Sequence, residues 1–178
     1  MRLISKLIEF LRQNCSAEDP LLLALSGGAD SLCLFFGLLE YRKQTGKLFH
    51  IAHIDHGWRV ESCEEAESLR KLAEQNGIPF HLKVLHPSEL SGNLEDACRK
   101  ERYSFFADLT RMHHFQAVLT GHHQDDQTET IFKRICEGAH WSRWKSLKFE
   151  NKLYGMRILR PFLNAPKAEI KQALIDIS

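Results

Sequence analysis

Cysteine is scarce in this 178-residue chain, and what there is does not pair. Cys15, Cys33, Cys63, Cys98 and Cys136 are odd in number, widely scattered and without a C-x-x-C spacing, so neither a disulfide framework nor a structural zinc site is expected. They read instead as small buried residues or surface thiols. Long apolar runs are missing too: no stretch approaches the roughly 20 residues that a membrane-spanning helix needs. The start, Met1 to Lys6, has no apolar h-region or small-residue cleavage site, which predicts a cytoplasmic protein with no membrane partner. No internal repeat or low-complexity tract is visible. Apolar content of 43% and charged content of 26% are those of an ordinary globular domain with a sizeable core. The two commonest nucleotide signatures are also lacking, the G-x-x-x-x-G-K-[ST] loop and the G-x-G-x-x-G dinucleotide turn.

What is there is a different glycine loop. Ser26-Gly27-Gly28-Ala29-Asp30-Ser31 directly follows the apolar run Leu21 to Leu25 and precedes an apolar, helix-compatible segment, Leu32 to Tyr41. A strand, a glycine turn and a helix N-terminus point backbone N–H groups and a helix dipole at one spot, which favours an anion such as a phosphate. Gly27 and Gly28 permit close approach, and Ser26 and Ser31 can add hydroxyl donors. An acidic residue beside a phosphate calls for a cation between them, so Asp30 suggests magnesium.

The rest of the chain alternates strand and helix signals. An apolar stripe at helical spacing predicts a helix over 2–13. Strands are predicted at 20–25, 48–54, 79–85 and 116–120, with a short fifth at 158–159. Helices are predicted at 30–44, 62–76, 94–112, 124–136 and 164–177. Ser62 and Glu65 are spaced as a capping box, and Pro166 falls in the first turn of the last helix. Residues 139–156 read as irregular. This order implies βαβ units and an α/β fold, three layers around a mostly parallel sheet of about five strands. Ligands in such sheets bind beyond the carboxyl ends of the strands.

Two further polar clusters fall at those ends, His53-Ile54-Asp55-His56-Gly57-Trp58-Arg59 and Gly121-His122-His123-Gln124-Asp125-Asp126 through Thr130. Between them lies Glu95 to Tyr103. His and Asp clusters here admit metal-dependent hydrolysis or acid–base work and magnesium chelation around a nucleotide. His122 and Asp126 are four apart and would share a face of a helix that begins near Thr120, and Arg99 and Arg102 are three apart, a spacing suited to phosphates.

LLLALSGGADS, HIDHGWR, EDACRKERY, LTGHHQDDQTET and ILRPFLNAPKAEI, in that order, resemble the tRNA(Ile)-lysidine synthetases. These are a family within the PP-loop, or N-type ATP pyrophosphatase, superfamily. The resemblance runs from about residue 20 to residue 175 and implies a Rossmann-like fold of the adenine nucleotide alpha hydrolase type. It implies a ligase that uses ATP to adenylate C2 of the wobble cytidine of an isoleucine tRNA, after which free L-lysine displaces AMP. ATP and Mg are the implied cofactors. Isoleucine tRNA, through its anticodon loop, and lysine are the implied partners, with a homodimer as the assembly. By the same resemblance Ser26, Gly27, Gly28, Ala29 and Ser31 cradle pyrophosphate, and Asp30 and Asp126 hold magnesium. His122, Arg99 and Arg102 join them at the reaction centre. Ala24, Ile54 and Gly121 fall beside the nucleotide.

Competing readings accompany these. His123 and Asp125 are either members of the centre or solvent-facing caps of the helix. His53 and His56 either act in catalysis or brace the loop. His50, His81, His86, His113, His114 and His140 lack motif context and read as structural or surface groups. Residues 138–147 depart from the Gly-Leu-Arg-Gly-Leu loop usual in the family. The chain ends within an amphipathic helix, which predicts a single catalytic domain over 1–178, with the family's C-terminal tRNA-binding domains absent or truncated. Residues 1–132 carry 14 basic against 19 acidic groups, and residues 133–178 carry 10 against 4. That basic third, with Arg143, Lys145, Trp141 and Trp144, predicts a polyanion-facing lip. A tRNA thiolase or amidating synthetase of the same superfamily is the near alternative, and a non-catalytic adenine-nucleotide module the distant one.

Overall fold

In the computed structural model, residues 2–16, 18–58, 61–86, 92–136 and 147–177 are described. Six helices and six strands occur among them. They are α1 (Arg2–Asn14), β1 (Leu21–Ala24), α2 (Ala29–Thr45), β2 (Phe49–Asp55), α3 (Glu61–Gln75) and β3 (Phe80–Val84). After these come α4 (Leu94–His113), β4 (Ala117–Leu119), α5 (Gln124–Cys136), β5 (Glu150–Leu153), β6 (Met156–Leu159) and α6 (Lys167–Ile177). The sheet order is β3-β2-β1-β4-β6-β5, parallel throughout except for β5.

Strand periodicity sorts β1 between two cores. Leu21, Leu23 and Leu25 face one layer, where they meet α1, α2 and α6. Leu22 faces the other, where Tyr103, Phe106 and Leu109 of α4 cover it. Helices α1 and α2 pack in the same layer, and Gly37 makes their close approach possible. A Cβ there would fall 2.4 Å from Leu7 Cδ2. Helix α4 opens on Asn93, whose side chain accepts from the N–H groups of Glu95 and Asp96.

Three sequence expectations are corrected. Residues 150–153, expected to be irregular, form β5 in a hairpin with β6. Its turn residues Tyr154 and Gly155 both have positive φ, 51° and 76°, the geometry that the twist of a two-residue hairpin demands. Tyr-Gly is an unusual choice there, and Glu150-Asn-Lys-Leu carries no β-branched residue, so neither signal was visible. Second, α3 begins at Glu61, and the Ser62 hydroxyl bonds to Asp55 rather than capping its own helix. Third, Pro166 precedes α6, and its carbonyl accepts from Glu169 and Ile170.

The order of strands reverses direction between β1 and β4. The segments that follow these two strands therefore emerge side by side at the carboxyl edge, where a cleft opens.

Candidate active site

The cleft begins with the glycine loop. Gly27 has φ +86°, where any side chain would be strained. Gly28 is the N-cap of α2 with φ −70° and ψ 157°, and no side chain caps the helix. The first N–H groups of α2 are thus left for an anion. Ser31 Oγ donates to Gly28 O at 2.9 Å and accepts from Ser26 N at 3.2 Å, while the two serine hydroxyls sit 3.1 Å apart. This network fixes the loop's curvature.

The loop after β4 closes onto it. A Cβ on Gly121 would stand 3.1 Å from Asp30 C and Ser31 N, so only glycine lets the two loops meet without a shift. Asp126 Oδ2 accepts from the His123 backbone N–H at 2.8 Å, the reaching-back arm of a capping box. The His123 ring is buried between two carboxylates, with Nε2 3.5 Å from Asp30 Oδ2 and Nδ1 3.7 Å from Asp126 Oδ2. His122 is half-buried, and its Nδ1 lies 2.8 Å from Thr120 Oγ1. Burial, helped by Arg160, Arg102 and Arg99 and opposed by Asp126, lowers the His122 pKa to about 4, so the ring is neutral at neutral pH.

A cavity of about 260 Å³ joins these groups. Ala24, Ser26, Asp30, Ser31, Ile54, Arg102, Gly121, His122 and Asp126 all line it. Nine site residues expected from sequence, drawn from four separate segments, therefore share one space. Gly27, Gly28 and Ala29 form the loop above it, and Arg99 lines a neighbouring cavity of about 700 Å³. Ser26, Ile54, His56 and Arg102 line both, so the two cavities adjoin. The Arg99 and Arg102 guanidiniums lie 5.3 and 5.5 Å from the Tyr103 ring centroid, which holds both against one aromatic ring.

The larger cavity is walled by the β2 cluster. His53 Nδ1 donates to Leu25 O at 2.7 Å, so this histidine braces β1. Asp55 accepts from Gly57 N at 2.8 Å. Burial would raise its pKa, but the bonds from Ser62 and Gly57 outweigh that and hold it low. His56 is kept low by burial and by Arg102. Trp58 stands 59% exposed at the rim.

Magnesium fits this donor set. Asp30 Oδ1 is buried without a hydrogen-bond partner, an arrangement that a cation would relieve.

The structure decides one residue that the sequence left open, His123, and adds one that it missed, Arg160. His123 turns inward while Asp125 is exposed, and adjacent positions in a helix-capping loop give no signal to separate them. Arg160 falls in the basic third expected to form a polyanion-facing lip. It is instead 4% exposed, held by Lys148 O and Asn151 Oδ1, both at 2.9 Å, and by the Tyr103 hydroxyl. Among the described residues it pairs with no carboxylate. Its place just after β6, at the same sheet edge as the other loops, was the available clue. Arg157, also assigned to that lip, pairs with Glu150 at 2.8 Å. Arg143, Lys145, Trp141 and Trp144 lie outside the described residues.

Fold and cleft define a doubly wound α/β domain of the nucleotide-binding type. The chain belongs to the PP-loop domain family, whose model matches residues 2–176. It is 48% identical over 170 residues to the tRNA(Ile)-lysidine synthase of Protochlamydia amoebophila, covering 96% of this chain and 37% of that one. It is 41% identical to the tRNA(Ile)-lysidine synthase of Chlamydia pneumoniae, covering 95% and 52%. The chain thus spans about half or less of the length of these curated relatives. Among solved structures it resembles the U34-tRNA thiolase NcsA of Methanococcus maripaludis, with a TM-score of 0.80 at 19% identity, over 99% of this chain and 63% of that one. The NMN synthetase of Francisella tularensis superposes with a TM-score of 0.62 at 12% identity, over 99% and 71%. At such identities these two likenesses speak for the fold alone. Among the described residues no helix is long and apolar enough to cross a membrane.

Proposed function

We propose that this chain carries the catalytic domain of a tRNA(Ile)-lysidine synthetase. The observation that carries the reading is the convergence of Asp30, Asp126, His122 and Arg102 on the glycine loop in one cavity, in a chain whose similar curated relatives bear that name.

In this reading ATP lies along the carboxyl edge. Its adenine sits beside Ala24 and Ile54, and its β and γ phosphates meet the α2 N-terminus, Ser26 and Ser31. The wobble cytosine O2 attacks the α-phosphorus, the bond from that phosphorus to the bridging oxygen breaks, and pyrophosphate departs into the loop. Arg102 lines the same cavity as Asp30 and His122, whereas Arg99 lines only the larger one. Arg102 is therefore assigned to the charge building on the α-phosphate, and Arg99 to the incoming nucleotide. Magnesium held by Asp30 and Asp126 would supply further neutralisation of the phosphates.

In the second step a lysine amine attacks C2, the C2–O bond breaks, and AMP leaves. The amine must shed a proton. His122 is suited to accept it, because its ring is neutral before substrate binds and the anionic phosphates would then raise its basicity. The larger cavity, with Trp58 at its rim and Arg99 inside, has the room and character for an unstacked base. The implied partners are an isoleucine tRNA and free L-lysine, in the cytoplasm.

AMP release from ATP, measured with an isoleucine tRNA in the presence and absence of lysine, tests the reading. Lysine-dependent AMP release supports it. AMP release that is indifferent to lysine but needs a sulfur donor would favour a thiolase instead.

A further inference from the structure

The cysteine pattern gave no reason to expect zinc, yet histidines from three separate elements converge at the opposite edge of the sheet from the ATP cleft. His50 is the second residue of β2, His81 lies in β3, and His113 is the last residue of α4. Their ring centroids are 5.2, 5.1 and 5.0 Å apart. His50 Nδ1 and His81 Nε2 face each other at 2.9 Å. One ring nitrogen from each of the three lies within 4.8 Å of the others.

We propose that His50, His81 and His113 form a site for a divalent transition metal of the zinc type. A tetrahedral zinc with nitrogen ligands at about 2.0–2.1 Å places those nitrogens roughly 3.3 Å from one another. The facing pair must open by a few tenths of an ångström, and the third nitrogen must close by no more than about 1.5 Å. Ring rotation supplies both movements. All three residues are partly exposed, so an ion can enter and a water can take the fourth position. Phe115 packs against His50 at 4.9 Å and His113 at 5.4 Å, which shields one side. Imidazole ligands favour zinc, copper and nickel over magnesium and calcium, so this site would not compete for the ion of the ATP cleft. His113 ends the helix that carries Arg99 and Arg102 near its start. A metal here would pin the far end of α4 to β2 and β3.

The test uses the whole chain, stripped with a chelator and then titrated with zinc chloride against a chromophoric competitor. One zinc per chain is expected, with a rise in Tm upon binding. Cobalt chloride in place of zinc should give visible d–d absorption of a four-coordinate ion without the near-ultraviolet band of a thiolate ligand. His81→Ala and His113→Ala should each weaken zinc binding by at least ~100-fold while leaving ATP affinity unchanged. The cobalt spectrum needs no variant, so the proposal stays testable even if a substitution unfolds the chain. Absence of stoichiometric zinc binding, a thiolate band, or parental affinity in a folded His113→Ala variant would each overturn it. None of these outcomes bears on ATP chemistry, so this site and the proposed ligase stand or fall separately.

Discussion

Replacing Gly121 with alanine should damage both the fold and the cleft, and the structure says by how much. The new Cβ would lie 3.1 Å from two backbone atoms, Asp30 C and Ser31 N, and 3.3 Å from Ser31 Cα. Backbone in the first turn of a buried helix cannot swing aside as a side chain can. The β4–α5 loop must therefore retreat by a few tenths of an ångström. Overpacking of this kind costs about 1–3 kcal/mol, which in a chain of 178 residues lowers Tm by roughly 2–4 °C per kcal/mol. The same retreat carries His122, His123 and Asp126 away from Asp30, so ATP-dependent pyrophosphate release should fall by more than the loss of folded protein explains. Gly28→Ala is the matched contrast. Gly28 has φ −70°, and its nearest neighbour to a new Cβ is Ser26 Oγ at 3.6 Å, so the fold should lose only about 1 kcal/mol as an N-cap change. Its methyl would project where phosphate approaches, and ATP affinity should drop sharply. Thermal unfolding and ATP titration of both variants make the check. A Gly121→Ala variant with parental Tm and parental pyrophosphate release would refute the idea that close approach of the two loops builds the site.

Asp30→Asn should keep the chain folded but remove magnesium-dependent ATP binding, measured by titration with and without the ion; unchanged binding would take Asp30 out of the site. Arg102→Ala should reduce pyrophosphate release by about 10²-fold or more, whereas Arg99→Ala should act mainly on tRNA affinity, and the opposite pattern would exchange their roles. His122 has a folded pKa of about 4, below its ordinary 6.5, so the unfolded chain binds the proton first. Its share of stability is full above pH 6.5 and is lost as pH falls toward 4. A His122→Gln variant should therefore show a shallower loss of stability across that window in denaturant titrations, and an equal slope would refute the depressed pKa.

The parts of the molecule that sequence revealed are those where one local rule decides. Leu21 to Leu25 can only be a buried strand, and the glycine loop has a spacing that strand–turn–helix geometry dictates. His122 and Asp126 do not share a helix face, because α5 begins only at Gln124, but the strand-end rule brought their loop to that of Asp30. What stayed hidden depends on tertiary placement. His122 and His123 are neighbours with equal chemistry, and only packing against α2 decides that His123 lies between the carboxylates. Arg160 looked like one more surface cation until β6 was seated beside β4, which buries its guanidinium near His122. The β5–β6 hairpin was invisible because its turn residues and strand composition are atypical. His50, His81 and His113 come from β2, β3 and α4, and no spacing in sequence joins them.

The most direct measurement of the central proposal is the fate of radiolabelled ATP mixed with the chain and an isoleucine tRNA bearing cytidine at the wobble position. Release of pyrophosphate on adding tRNA, followed by AMP release and a lysine adduct on that cytidine only when lysine is present, is the expected result. Pyrophosphate release without tRNA, or a modified cytidine that forms without lysine, would contradict it.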